Sequence, residues 1–321
     1  MSLWDIVKEY HKNNSLVKEQ INSFNNFIRF GIQNVIDEMG NIEVLENKVI
    51  FGKISIERCQ HTENDGHTSM LIPHDARLRN LTYSASLYVD CIINDAEGIK
   101  VFLGKIPIMV HSDFCNIRYS PDSEEIGGYF IITGSEKVLI PQEKMNNNQV
   151  YIFEKKLNKI IYEAEIRSLE ENSYKSTSTL KIYIVKINES EYKLRAQIPF
   201  FKTDIPAFLI FKFTKTRFAD YLIDVNNDLY SDTVFLSEQE SDEVENVEEY
   251  FMKKLNIQLK EDVSLHDVFE KYFLPHMKHF ENKAKMYAFA INKLLKSFCN
   301  IQKVDDRDHF KNKRIDLAGD L

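Results

Sequence analysis

The chain has 321 residues, 43% hydrophobic and 28% charged, with only 10 Gly and 7 Pro. That balance is globular. It excludes collagen-like, linker-dominated and low-complexity chains, and the length accommodates about two domains. The formal net charge of −8 hides a segregation: residues 232–249 carry eight acids and no base, whereas between His276 and Arg314 ten Lys and Arg stand against four acids. Mean hydropathy is −0.35, and no apolar run approaches the ~18–20 residues that cross a bilayer. The opening Met1-Ser2-Leu3-Trp4-Asp5 has neither the basic nor the apolar stretch of a secretory signal. The four cysteines, Cys59, Cys91, Cys115 and Cys299, form no C-x-x-C pair. They read as reduced, mostly buried thiols of an intracellular protein.

The first fifty residues are helical in pattern. Leu3, Val7 and Tyr10 share one face. Val17, Ile21, Phe24, Ile28, Ile32 and Val35 then recur at three- and four-residue spacing. Ser15 is the candidate N-cap of this second helix and Gly40 its stop. From Asn47 to about Glu154 the period changes to two. β-Branched and aromatic runs at 49–56, 87–93, 100–109, 129–133 and 137–140 are separated by turn formers at Asn94-Asp95, Ser120-Pro121-Asp122, Gly127-Gly128 and Gly134-Ser135. A second β block follows. Leu180–Val185 and Tyr192–Ile198 alternate across a hairpin turn at Asn188-Glu189, and Pro206–Phe213 is a short continuous apolar run. The acidic stretch reads as a loop or a solvated helix. Val268–Phe273, stopped near Pro275, and Tyr287–Phe298 read as two closing helices. The fold class is α+β, with two domains of mixed, mostly antiparallel sheets and packed helices. The boundary near Glu154 rests on the Lys-rich, polar composition of residues 154–159.

Three constellations invite chemistry. The Gly-rich stretch 127–140 lacks G-x-x-x-x-G-K-[ST], and Gly134 precedes a strand rather than a helix N-terminus, so it reads as a hairpin and not a phosphate loop. Asp305-Asp306-Arg307-Asp308-His309 has the residue types that hold Mg²⁺ or Mn²⁺, but Arg307, Lys311, Lys313 and Arg314 interrupt and follow the acids, as in a set of ion pairs. His61, His67 and His74 lack the i,i+4 spacing of a helical zinc site. No metal ligand and no catalytic residue is assigned from these patterns.

Seven blocks together resemble the second-largest, β-like subunit of multisubunit DNA-directed RNA polymerase, of the archaeal, eukaryotic and large-DNA-virus type. They are L-V-K-E-Q-I-N-S-F-N-N-F at 16–27, P-H-D-A-R-L-R-N-L-T-Y-S-A at 73–85, G-K-I-P-I-M at 104–109 and G-Y-F-I-I-T-G-S-E-K-V-L-I-P-Q-E at 128–143. E-I-R-S at 165–168, D-I-P at 204–206 and D-D-R-D-H-F-K-N-K-R-I-D-L-A-G at 305–319 complete the series. The resemblance implies that residues 1–153 are the protrusion, residues 154–314 the lobe and residues 315–321 the start of a return to the protrusion, and that these parts line one side of the DNA cleft. It implies a nucleotidyltransferase whose Mg²⁺ and catalytic groups lie outside this chain. It implies as partners the largest subunit, the remainder of the β-like subunit, the DNA template and initiation factors. Lys137 and Gln142 of the Gly-rich hairpin, with Arg307, Lys311, Lys313 and Arg314 of the basic segment, are the candidate nucleic-acid contacts. The bland alternative pairs Arg307 and Lys311 with Asp305, Asp306 or Asp308. A protein-docking module that never touches nucleic acid is the competing reading. A metal-dependent nuclease using Asp305, Asp306, Asp308 and His309 is a third. The Ile-, Lys- and Asn-rich composition leans towards a large DNA virus, so the expected location is the nucleus or a cytoplasmic virus factory or virion.

Overall fold

The computed structural model describes residues 3–321 apart from 14, 45–46, 95–97, 118–124, 158, 171–175, 222–226 and 257–263. The turn read at Ser120-Pro121-Asp122, and Asp95 of the turn before it, lie outside the described residues. The architecture is α+β, with antiparallel sheets. The chain divides into two compact units, Met1–Lys144 with Ile315–Leu321, and Met145–Arg314.

The first unit opens with α1 (Leu3–Asn13), then α2 (Lys18–Asn26), a single π turn at Phe27–Gly31 and α3 (Ile32–Met39). The predicted second helix is therefore one continuous rod with a π turn in it. Phe24, Ile28 and Ile32, four residues apart, are its buried stripe. Gly40, at φ +64°, ends it in a conformation that favours glycine. Ser15 does not cap the helix. Its carbonyl accepts from Lys18 N (3.1 Å) and its Oγ from Val17 N (3.4 Å), so it forms the turn before the first helical residue.

A four-stranded sheet follows, built from β1 (Ile42–Val44), β2 (Asn47–Ile56), β5 (Ser84–Ile93) and β6 (Ile99–Pro107) in the order β1-β2-β5-β6. Between β2 and β5 lie a small hairpin, β3 (Gln60–Thr62) and β4 (Thr68–Met70), and α4 (Pro73–Leu78). β2 carries an irregularity between Phe51 and Ile54. Gln33 of α3 fills it: its Nε2 donates to Gly52 O (3.2 Å) and its Oε1 accepts from Ile54 N (2.9 Å). The amide thus replaces two ladder bonds that the bulge breaks. The core joins Phe24, Ile28 and Ile32 to Tyr83, Ile108, Met109, Phe130 and Ile131. Phe24 and Phe130 meet edge to face at 5.4 Å.

β7 (Phe130–Ile132) and β8 (Ser135–Lys137) form a tight hairpin, and β9 (Gln142–Met145) leads to the second unit. Thr133 and Gly134 both have positive φ, as a two-residue turn of this hand requires. Gly134 also lies so close to α4 that a Cβ would sit 2.6 Å from Asn80 Oδ1 and 2.8 Å from Asn80 Cα.

The second unit is a five-stranded antiparallel sheet, β10 (Val150–Leu157), β11 (Ile160–Ser168), β12 (Ser178–Lys186), β13 (Tyr192–Gln197) and β14 (Ile205–Pro206), in sequential order. Glu154 pairs with Tyr162 in the middle of β10, so the polar composition near residue 154 marks a strand rather than a linker. The apolar run at 206–213 is not a strand beyond Pro206. Residues Leu209–Phe213 form α5, buried except for Lys212, because a short, nearly continuous apolar run suits a buried helix as well as a strand. The acidic stretch folds as α6 (Asp228–Asp242) and α7 (Val247–Lys254), capped by Asn227 and Asn246. α6 stays amphipathic because Tyr230, Thr233, Val234, Ser237 and Ser241 face inward, and Ser237 Oγ accepts from Leu194 N (2.9 Å). α8 (Leu265–Tyr272) opens with a Ser264–Asp267 capping box and stops before Pro275. α9 (Phe280–Phe298) lays Tyr287, Ile291, Leu294, Leu295 and Phe298 against Val150, Ile152, Ala164, Ile166, Leu180, Ile182 and Ile184 of the sheet.

Lys283 of α9 is 0% exposed. Its ammonium donates to the carbonyls of Phe269 (3.1 Å), Glu270 (2.5 Å) and Phe273 (2.7 Å). It thereby caps the C-terminal turn of α8, where Phe269 O also accepts from Phe273 N (3.0 Å). Burial pulls its pKa down to about 8.

The chain then returns through β15 (Lys313–Asp316). Within the first unit, Ala318 N donates to Gln20 Oε1 (2.8 Å) and Gly319 N to Ser23 Oγ (3.0 Å) on α2. A Cβ at Gly319 would sit 2.1 Å from Ser23 O, so only glycine permits this approach.

Two outcomes follow from this packing. Gly134→Ala is expected to destabilise the first unit by about 1–3 kcal/mol, since both the positive φ and the backbone of Asn80 oppose a methyl group. Hydrogen exchange of the β7, β8 and α4 amides in urea would read it. Lys283→Met is expected to cost the second unit about 2–4 kcal/mol by removing the ammonium that the carbonyls of Glu270 and Phe273 accept from and that Phe269 O shares with Phe273 N. The folded pKa lies below the ~10.4 of an unfolded lysine, so the unfolded chain holds more protons between the two values. The stability difference between wild type and Lys283→Met should therefore be flat below pH ~8 and grow as pH rises towards ~10. Urea titrations of both proteins across that range would measure it.

Candidate nucleic-acid interface

The β7–β8 hairpin is held by Arg77 of α4. Its Nη1 donates to Tyr129 Oη (2.6 Å) and Glu136 Oε1 (2.9 Å), and its Nη2 to Glu125 Oε2 (3.0 Å). Tyr129 donates a short hydrogen bond to Glu125. The guanidinium is held well above its ordinary pKa by Glu125, and the paired Glu125 lies below its own. One cation thus fixes three groups 48, 52 and 59 residues away. Lys137 closes β8 and Gln142 opens β9, and both are exposed. Between them Val138, Leu139 and Ile140 are also exposed. The main chain here is tied down where Gln20 Nε2 donates to Leu139 O (3.1 Å). The hairpin therefore presents one cation and one amide on a rigid base, beside an apolar strip.

In the second unit, residues 305–314 form a built turn. Asp305 Oδ2 accepts from Ile152 N (2.9 Å) and from Lys293 Nζ (2.7 Å). Asp306 Oδ1 accepts from Asp308 N (2.9 Å), and His309 Nδ1 from Lys311 N (3.2 Å). Asn312 Nδ2 donates to Asp306 O (2.6 Å). The carboxylates are spent on separate main-chain and lysine donors, and no group of three metal-ligating side chains gathers among the described residues. The Asp305–His309 cluster does not fit a bound cation.

The bases of this segment also sort themselves. Arg307 leaves the local acids. Its Nη2 lies 3.4 Å from Glu165 Oε2, and its guanidinium stacks 4.2 Å above the Phe153 ring. Lys313 Nζ lies 3.6 Å from Asp308, which is itself exposed. Arg314 is half-buried. Lys311 has an exposed side chain. The anticipated pairing of Arg307 with Asp305, Asp306 or Asp308 is replaced by a cross-sheet partner that sequence proximity could not indicate. The groups missed from sequence are Arg77, whose partners lie far along the chain, and the bases of β11–β13. The alternation Lys181-Ile182-Tyr183-Ile184 and Lys193-Leu194-Arg195-Ala196 was their available signal, since it turns each base to the side opposite the core.

The sequence matches the profile of the RNA polymerase beta subunit family over residues 15–321. It is 34% identical over 381 aligned residues to DNA-directed RNA polymerase II subunit 2 of Arabidopsis thaliana, covering 99% of this chain and 32% of that protein. DNA-directed RNA polymerase II subunit RPB2 of Schizosaccharomyces pombe is 31% identical over 99% of this chain and 32% of its own length. DNA-directed RNA polymerase subunit Rpo2 of Sulfolobus acidocaldarius is 32% identical over 100% of this chain and 30% of its own. The chain thus spans about a third of the length of the curated relatives it matches. With the clamped hairpin and the ordered 305–319 block among the regions matched, the chain belongs to the RNA polymerase beta subunit family and corresponds to the N-terminal portion of the second-largest subunit.

Proposed function

We propose that this chain forms one side of the DNA cleft in a DNA-directed RNA polymerase and contributes to DNA-templated RNA synthesis by position rather than by chemistry. The match of nearly the whole chain to about a third of second-largest subunits supports this reading. In it, the unit Met1–Lys144 with Ile315–Leu321 is the protrusion and Met145–Arg314 is the lobe. Nucleotidyl transfer, its Mg²⁺ and the groups that bind nucleotide belong to the assembled enzyme. Its partners are the largest subunit, the rest of the second-largest subunit, the DNA template and initiation factors. It works where that polymerase works, in a nucleus or a virus factory. No helix among the described residues is long and apolar enough to cross a membrane.

Lys137, Gln142, Lys311, Lys313 and Arg314 are the residues proposed to reach DNA phosphates, with Arg307 held back by Glu165 and Phe153. Contacts of this type are indifferent to sequence and weaken steeply with salt. The competing reading, a docking module without nucleic-acid contact, draws on exposed apolar surface in the first unit. β6 is an edge strand whose Val101, Phe102 and Leu103 are 40%, 53% and 46% exposed. An uncovered apolar edge of this kind is a template for another strand. We assign the surface that covers β6 to the rest of the subunit.

Two measurements test this. In a reconstituted polymerase, Lys313→Glu with Arg314→Glu should lower DNA retention about tenfold and flatten the salt dependence by about 1.8 in the log–log slope, roughly 0.9 per lost phosphate contact. Unchanged retention would favour the docking module. Separately, Val101→Lys with Leu103→Lys should abolish co-purification with a polypeptide carrying the rest of the subunit while leaving the thermal unfolding of this chain nearly unchanged. Undiminished co-purification would remove β6 from the assembly surface.

A further inference from the structure

The face of the five-stranded sheet turned away from α9 carries an unusual charge pattern. Cross-strand pairing sets Phe153 opposite Glu163 and Tyr151 opposite Glu165. It sets Glu163 opposite Tyr183 and Glu165 opposite Lys181. It sets Tyr183 opposite Arg195 and Val185 opposite Lys193. The core takes the alternate residues, so all of these point away from α9.

On that face each carboxylate is shared by two bases. Glu163, 0% exposed, is bridged by Lys155 and by Lys181, the latter at 3.6 Å. Glu165 is bridged by Arg167 at 2.7 Å and Arg307 at 3.4 Å. Glu240, reaching in from α6, is bridged by Arg195 at 2.6 Å and Lys193 at 3.7 Å. Six bases therefore stand against three carboxylates, and the surplus survives if Asp204, near Tyr183, is added to the acids. The carboxylates lie at the bottom and the bases above them, half-exposed, so the face turned to water is positive. An open recess of about 660 Å³ sits over the first two of these triads, and the hydroxyl-bearing Thr177 and Thr179 line it beside Lys155, Arg167, Lys181 and Arg307.

We propose that this sheet face is a second, sequence-indifferent nucleic-acid surface that binds backbone phosphates through Lys181 and Lys193, with Lys155, Arg167, Arg195 and Arg307 as the supporting bases. The triads do two things at once. Each buried carboxylate fixes the direction of its bases, and each leaves one positive charge over, so the cations are ordered before an anion arrives. The surplus is spread over β10 to β13, about 14 Å at the usual strand spacing, which suits a chain of phosphates. The lining of the recess is charged and hydroxylic, with no apolar socket for the aromatic or aliphatic anchors on which protein partners depend. Phosphate oxygens take donors of both kinds present here, basic and hydroxyl. Apart from Arg307, the surface shares no residue with the contacts proposed above.

Fluorescence anisotropy of a short labelled DNA duplex, titrated with the full chain across a salt series, tests the surface. Lys181→Gln with Lys193→Gln leaves Glu163 and Glu240 each with one base, so the fold should be retained. The expected result is a weaker complex whose log–log salt slope is lower by about 1.8, with Lys181→Arg and Lys193→Arg restoring it. An unchanged slope in the glutamine variant would overturn the proposal. So would an equal loss in the arginine variant, which would mean a packing effect. Competition by a Glu-rich peptide as effective as unlabelled duplex would reassign the face to an acidic protein, and competition by inorganic phosphate at micromolar concentration would reassign it to a small anion. The Lys313→Glu, Arg314→Glu pair run in the same assay separates the two surfaces, because either set can fail alone.

Discussion

The alternation of side chains in β10–β13 is the constraint on which most of the second unit depends. Val150, Ile152, Ala164, Ile166, Leu180, Ile182, Ile184, Leu194 and Ala196 must point towards α9 to bury its apolar stripe. Their neighbours are then obliged to point to the opposite face of the sheet. A slip of one residue would turn Glu163, Glu165 and Lys181 into the core, where unpaired charge is too costly to keep. Core and charged face are therefore specified by the same register. The ion triads add little to stability where they are half-exposed, but they penalise every wrong register heavily.

The first unit depends on close approach instead. Its sheet, helices and terminal segment come from distant parts of the chain, and they meet where side chains are absent or exchange backbone roles. Gly134 touches Asn80, Gly319 touches Ser23, and Gln33 substitutes for ladder bonds in the bulge of β2. Gln20 makes two such bonds at once, to Leu139 and to Ala318. Arg77 does the same with charge, drawing Tyr129, Glu125 and Glu136 to α4. A polar side chain that satisfies two separate main-chain segments acts as a rigid joint, because neither segment can move without exposing an unpaired group.

These two regimes explain what the sequence revealed. The stripe Phe24, Ile28, Ile32 and the helix at 287–298 are periodic, and periodicity is local, so both were legible. The hairpin at Asn188-Glu189 and the glycine turn at 134 were legible for the same reason. The π turn at Phe27–Gly31 was not, since one inserted residue shifts the stripe without breaking it. The helix at Leu209–Phe213 was hidden because four buried apolar residues around a single lysine are too few to show a period. At the candidate site, Lys137 and Gln142 were singled out through the family resemblance, and both are exposed. The partners of Arg307 did not follow from its neighbours: Glu165 lies 142 residues away, and only strand pairing brings the two together. Sequence spacing exposes a motif's own geometry and stays silent on which strand will face it.

Net charge gives a poor account of such a molecule. A total of −8 suggests repulsion from nucleic acid. However, at physiological ionic strength the field of an exposed charge decays within about 8–10 Å. A phosphate near the sheet therefore responds to the charges around it and not to the sum over the chain. On this face the nearby sum is positive, and the acidic α6 contributes to it through Glu240, whose carboxylate Arg195 and Lys193 already share. The remaining acids of α6 and α7 that face water, such as Asp232, Asp242 and Glu248, influence binding mainly at low salt, where screening is weak. Lowering the salt should thus strengthen local attraction and long-range repulsion together. That makes the measured salt slope of the whole chain shallower than the number of phosphate contacts alone would give, while the difference between two variants of the same chain still counts the contacts removed.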